Sequence, residues 1–168
     1  MSALLFGSSA SPDGTLEKQI HDAFVPWVIR RIPHMQRAGV DSFGPCGVFV
    51  VVDKPDLQNG RPLAAVVFHN HVPGYRSIEA SVASVSRMWA KPAHISALLR
   101  YAFVTNGCER LQAATAKRGR AAKHVQKFLR NLGFKYEGAG RKAFGSDDAL
   151  MFSMLRDEAA RWLGAEHG

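Results

Sequence analysis

The chain has 168 residues, 46% of them hydrophobic and 10% aromatic, enough for one domain with a sizeable core. Its 22 Lys and Arg against 14 Asp and Glu give a formal charge of +8, and no stretch approaches the ~20 apolar residues of a membrane span. Cys46 and Cys108 have no CxxC or CxxH spacing, which argues against a disulfide framework and a metal site and for a reducing, cytoplasmic setting. A positive surface attracts polyanions such as nucleic acid, phosphorylated cofactors and anionic membranes. It also suits a plain solvated face, and charge alone does not choose.

Residues 1–13 lack a basic n-region and carry too short an apolar run for a signal peptide; they are expected to form a loose arm on a single domain spanning 1–168. From 15 to 35, Leu16, Ile20, Phe24, Trp27 and Val28 fall at helical spacing, and Pro26 is expected to kink or split the segment. Gly47–Asp53 is a continuous apolar run suited to a strand covered on both faces. Pro62–His71 and Ser77–Ala83 are further strands, with Asn59-Gly60 (inside the loop Lys54–Arg61) and Pro73-Gly74 marking the turns of an antiparallel meander.

The third strand runs into Arg87-Met88-Trp89-Ala90-Lys91-Pro92-Ala93-His94. Pro92 fits the first position of a helix, which puts Lys91, a residue with no capping oxygen, at the cap. Arg87, Lys91 and His94 add positive charge where the helix dipole is already positive, at a cost of roughly 0.3–1 kcal/mol per exposed charge. A bound anion relieves both problems, so this turn is expected to hold phosphate at the C-terminal end of a strand. The helix continues to about Asn106, with Ile95, Leu98, Leu99, Ala102 and Phe103 on one face and Gly107 as its terminal cap. Then come a strand at Arg110–Ala116, a helix at Arg120–Leu132 with Val125, Phe128, Leu129 and Leu132 on one face, strands at Phe134–Phe144 and Ala149–Leu155, and a short helix at Asp157–Leu163. The strand–helix–strand unit after residue 77 needs a crossover.

Several segments carry a family resemblance. Phe128-Leu129-Arg130-Asn131-Leu132-Gly133-Phe134-Lys135-Tyr136-Glu137-Gly138 resembles the FLxxLGFxxEG signature of the ribosomal-protein N-terminal acetyltransferases. Phe152–Glu158 resembles the closing strand of that branch, while Phe68-His69-Asn70-His71 and the segment from Arg87 through Trp89 resemble small phage-type members. Over roughly residues 45–163 the chain therefore resembles the GCN5-related N-acetyltransferases (GNAT). The resemblance implies a mixed, mostly antiparallel α/β sheet with helices on both faces, a splayed parallel strand pair at the cofactor site, acetyl-CoA as cofactor and an amine as acceptor. It places Val82, Ala83, Ser84 and Val85 beside the thioester, where backbone amides would hold it. The family's pyrophosphate loop, Q/R-x-x-G-x-G/A, is matched at Arg87, but Ala90 and Pro92 replace its glycines. Proline donates no N–H, so the cradle is expected to draw on Trp89, Ala90, Lys91, Ala93 and His94. Ala122 stands where many members have Asn, and Phe128 where they have the Tyr that protonates the leaving thiolate.

Acetyl transfer needs a neutral amine, aimed N–H donors for the oxyanion, and close positioning. Glu79, mid-strand among Ile78, Ala80, Ser81 and Ala83, is the first candidate base; a glutamate facing water is the plain alternative. His69 and His71, two apart and expected to share a face, come second as bases or pocket residues. Tyr75 is a conceivable acid. The cluster Lys117, Arg118, Arg120, Lys123, His124 and Lys127 opens the second helix; Arg118 and Lys123 are candidates for the cofactor's 3′-phosphate, and the cluster could instead meet nucleic acid or water. The function expected is direct acetyl transfer to an amine: a protein N-terminus, a lysine, a small amine or a modified base. A nucleic-acid-binding protein on this scaffold and a non-catalytic acyl-CoA-binding regulator are the alternatives. No metal and no membrane partner are expected, and the oligomeric state is open.

Overall fold

A computed structural model describes residues 1–39, 41–56 and 58–164; Leu57, within the expected loop Lys54–Arg61, lies outside the described residues, as do Val40 and 165–168. Seven strands form one sheet: β1 (Ala3–Ser8), β2 (Gly47–Val52), β3 (Pro62–Val72), β4 (Ser77–Ser84), β5 (Arg110–Ala116), β6 (Lys135–Gly140) and β7 (Ala149–Leu155). Their order is β1-β2-β3-β4-β5-β7-β6. The sheet is mixed and mostly antiparallel, and β4·β5 is its parallel pair. The helices are α1 (Leu16–Ile29), α2 (Pro33–Gln36), α3 (Pro92–Arg100), α4 (Arg120–Leu132) and α5 (Ala160–Leu163). By its internal contacts the chain divides into two compact units, Met1–His71 with Ser81–Leu98, and Val72–Ala80 with Leu99 onward.

In the first unit the N-terminal residues are no loose arm. Ala3–Ser8 pairs antiparallel with Gly47–Val52, Ala3 opposite Val52 and Ser8 opposite Gly47. Ala3 and Leu5 pack against a core that includes Ile20, Val28, Val48, Val50 and Val67. β2 is covered on both faces as its apolar run requires: Val48, Val50 and Val52 join this core, and the Phe49 ring lies between those of Phe6 and Phe68 at centroid distances of 4.8 and 5.9 Å. Thr15 caps α1, its hydroxyl accepting from Lys18 N at 3.3 Å. The helix passes through Pro26, and the split expected there falls instead between Ile29 and Pro33, where Pro33 disfavours helical geometry in the residue before it.

In the second unit β5 alternates cleanly, with Leu111, Ala113 and Thr115 buried. It pairs antiparallel with β7 along its whole length, from Arg110 opposite Leu155 to Ala116 opposite Ala149. Phe103, Leu111, Leu129, Phe134, Phe152 and Met154 are buried in this unit. α4 ends at Gly133, whose N–H donates to Arg130 O and whose φ of 107° turns the chain so that Phe134 N–H reaches Leu129 O at 3.0 Å. The expected helix to Asn106 changes character after Arg100: Tyr101–Thr105 is a π-helical turn. Val125, read on one face of α4 with Phe128, Leu129 and Leu132, is exposed. The last strand pair is shorter than expected, Phe144 lying beyond β6, and the closing helix begins as a 3-10 turn at Arg156.

Candidate active site

The basic turn in the first unit begins with a device the sequence reading missed. Arg87–Trp89 is a 3-10 turn capped by Ser86, whose hydroxyl accepts from Met88 N at 3.1 Å. Pro92 then opens α3 as expected. The first backbone bond of that helix runs from Ile95 N to Lys91 O at 3.0 Å. The amides of Ala93 and His94 therefore precede the helical ladder, where N–H groups have no intrahelical acceptor. Two of the other expected cradle amides are committed locally: Ala90 N to Arg87 O at 3.5 Å and Lys91 N to Trp89 O at 2.9 Å. Val85 N donates to Leu63 O at 2.9 Å. Trp89 is buried.

Charge at the turn is smaller than the sequence count. Arg87 and Lys91 are exposed cations. His94 is half-buried and shares a 3.0 Å hydrogen bond between Nε2 and Ser2 Oγ. Burial, and then the Lys91 charge, hold its ring below the usual histidine range, which favours the neutral form. The turn thus presents two cations and two first-turn amides, a donor set suited to a diphosphate.

His69 and His71 do not share a face. Asn70 between them has φ 49°, which breaks the strand pleat. His69 is buried, its Nε2 2.9 Å from Ser81 Oγ and its ring centroid 4.8 Å from that of Phe43, whereas His71 is exposed. Of the strand-end residues, Ala83 is buried, Val82 half-buried, and Ser84 and Val85 exposed.

In the second unit Glu79 is half-buried, neither a water-facing edge residue nor an isolated carboxylate. It lies directly opposite Gln112 in the parallel ladder, which covers Ser77–Glu79 against Arg110–Gln112. The Gln112 amide Nε2 donates to Glu79 Oε1. Gln112 is a partner of Glu79 that sequence reasoning missed: the β4·β5 register is not encoded locally, and the only signal was a polar Arg-x-Gln alternation on β5. Tyr75, in a 3-10 turn, is 81% exposed, an open setting for a proton donor.

The basic cluster divides. Lys117 Nζ lies 3.4 Å from Asp148 Oδ2, and Arg118 donates its backbone N–H to Asp147 Oδ2 at 3.0 Å. Arg120, Lys123, His124 and Lys127, at helical spacing, instead line an open depression of about 700 Å³ with Gly119, the uncapped start of α4. Ala122 is buried and Phe128 half-buried, in the positions the resemblance gives to Asn and Tyr. Among the described residues no three His, Cys, Asp or Glu side chains are placed to hold a metal ion, and no helix is long and apolar enough to cross a membrane.

No protein-family model matches the sequence, and no curated protein matches it. Solved structures do. Spermidine N-acetyltransferase from Vibrio cholerae, in complex with CoA and spermine, is 15% identical over 96% of this chain and 98% of its own, with a TM-score of 0.65. An acetyltransferase from T. thermophilus is 18% identical over 84% and 85% of the two chains, with a TM-score of 0.61. Ribosomal-protein-S5-alanine acetyltransferase from Vibrio fischeri is 21% identical over 67% and 62%, with a TM-score of 0.53.

The chain has the GNAT fold. At these identities the likeness is one of architecture. Within the GNAT fold the parallel pair of the present chain is β4·β5, and its described ladder stops at Glu79·Gln112 although β4 runs on to Ser84 and β5 to Ala116.

Proposed function

We propose that the chain is an acetyl-CoA-dependent N-acetyltransferase that passes an acetyl group directly to an amine. The reading rests on one observation above the rest: in a GNAT fold, the start of α3 combines exposed Arg87 and Lys91 with two amides that lie ahead of the helical ladder. The CoA thioester supplies an acyl group already activated for transfer. Arg87 and Lys91 neutralise its diphosphate, and the amides of Ala93 and His94 donate to it. Lys123 is a second phosphate-binding candidate, while Arg118 is tied to Asp147. The backbone of Val82–Ser84 orients the acyl group, and Glu79 takes the proton that the amine must lose. His69 is held against Ser81 and Phe43, which favours a structural role over a base. Phe128, in place of a tyrosine acid, has no proton to give, so this position would leave the departing sulfur unprotonated by the chain.

Two of the structural neighbours are named for spermidine and for an alanine of ribosomal protein S5. A formal charge of +8 disfavours a free polyamine, itself a polycation, and favours an amine carried on a neutral or acidic molecule.

The test is calorimetry with acetyl-CoA, followed by a free-thiol assay over a panel of amines. Glu79→Gln lowers kcat by about 10²-fold or more and leaves acetyl-CoA affinity unchanged. Absence of acetyl-CoA binding overturns the reading. The basic face of α4 supports a second reading, nucleic-acid binding, because Arg120, Lys123, His124 and Lys127 share an open depression and α4 has no acid in its first turn. Salt-dependent affinity for duplex DNA without any acetyl-CoA binding would favour it.

A further inference from the structure

The polar residues on one face of the second unit's sheet form a continuous chain that the reading of Glu79 alone does not use. Gln112 stands opposite Glu79 on β4 and opposite Ser153 on β7. Its Nε2 donates to Glu79 Oε1, and its Oε1 accepts from Arg110 Nε at 3.2 Å. The Arg110 guanidinium grips Glu137 with two hydrogen bonds, of 2.5 and 3.0 Å. Glu137 also accepts from Ser153.

Chemistry fixes the orientation of this chain. Arg110 has no acceptor atom, so only the carbonyl end of the Gln112 amide can face it. The Glu79 carboxylate has no donor, so only the NH₂ end can face that. Turning the amide over would break both contacts, and Gln112 is therefore held in one of its two senses. Arg110 is itself held: its bidentate pairing with Glu137 fixes the plane of the guanidinium. The Glu137 bond, and after it the nearby Glu79 charge, push the Arg110 guanidinium up from its usual range, while Arg110 holds Glu137 below the usual glutamate range.

We propose that Gln112 is a positioning residue for Glu79: clamped through its carbonyl by Arg110, it aims its NH₂ group at the carboxylate and holds that carboxylate in one rotamer for proton removal from the acceptor amine. This rests on the reading of Glu79 as the base. A side chain that must meet a proton in one geometry gains from being held there before substrate arrives, because rate falls steeply with misplacement.

The experiment uses the full chain, an amine found by the free-thiol assay, and two substitutions of Gln112, each made with Glu79 present and in an Glu79→Gln background. Gln112→Leu removes both contacts. Gln112→Glu keeps an acceptor for Arg110 but loses the donor and sets two carboxylates face to face. The expected result is a fall in kcat of about 10- to 100-fold for both with Glu79 present. The KM for acetyl-CoA stays the same, and neither substitution causes a further loss once Glu79 is Gln. A role limited to bracing Arg110 would let Gln112→Glu keep wild-type kcat, and that result overturns the proposal. So does an equal loss of kcat in both Glu79 backgrounds. Urea midpoints identify any variant that is misfolded, and Gln112→Glu, close in volume to the native residue, carries the test if Gln112→Leu is. Wild-type kcat in Glu79→Gln alone removes the base, and the positioning role with it. Loss in Glu79→Gln with retention in Gln112→Glu removes the positioning role alone.

Discussion

Replacing Gly7 with alanine tests whether the first strand is part of the fold. Gly7 faces α1 so closely that an added Cβ would lie 2.5 Å from His21 N, 2.8 Å from Glu17 O and 2.9 Å from Ile20 Cγ2. Two of those atoms are helix backbone and cannot swing aside. Ordinary carbon contacts begin near ~3.5 Å, so β1 and α1 must part by roughly 1 Å to admit the methyl. Overpacking of this kind costs about 1–3 kcal/mol. For a chain of this size that is a fall in Tm of about 3–10 °C. The assay is thermal unfolding followed by tryptophan fluorescence and far-UV circular dichroism. Gly74→Ala is the control, since a Cβ there meets nothing within 4 Å and its φ is not positive. A Gly7→Ala midpoint equal to that of Gly74→Ala would show that β1 is not docked on α1, and residues 1–8 would revert to a loose arm.

Arg87→Ala and Lys91→Ala each weaken acetyl-CoA binding by about 2- to 5-fold, and together by up to about 30-fold, because both cations are exposed and screened. Calorimetry at two salt concentrations checks this, and an unchanged Kd in the double variant contradicts it. Burial pushes the Cys46 thiol up to about 11 from its ordinary value of 9.0. The native thiol is thus expected to resist iodoacetamide at pH 8 and to react on unfolding. Because the unfolded chain loses this proton first, the contribution of Cys46 to stability is intact below pH 9 and falls away as pH rises toward 11, by on the order of 2–3 kcal/mol. Cys46→Ser should flatten that alkaline decline, and an identical pH–stability curve would refute the assignment.

Sequence resolved the elements whose signals are local. The bounds of β5 and α4 are as expected: β5 shows strict alternation, and Gly119 and Gly133 bracket a helical pattern. β1 was not legible, because its partner β2 begins about forty residues later and nothing local marks Ala3–Ser8 as paired. The π turn was hidden for a different reason. Apolar spacing continues through Ala102 and Phe103, and the widened turn shows in backbone bonding such as that from Asn106 N to Tyr101 O at 3.0 Å, five residues back. Pro26 misled because a proline removes one hydrogen bond without always ending a helix, and here the buried side chains of Val25, Trp27, Val28 and Ile29 hold the turn around it.

The site divides along the same line. The anionic need of the 87–94 turn was visible because caps and charges are local, but its size was overstated. Ser86 caps the preceding 3-10 turn, Ser2 bonds the His94 ring, and burial favours that ring as neutral. Each of these answers part of the deficit with the chain's own atoms. What stays unanswered is narrower and more specific: two exposed cations, Arg87 and Lys91, and the amides of Ala93 and His94, which Pro92 and the helix start leave ahead of the ladder. A general excess of positive charge would attract any polyanion along the surface. A pair of cations beside a pair of amides at one helix start favours a compact, doubly charged group, and that distinction sets the diphosphate proposed for this turn apart from a polyanion on the open basic face of α4.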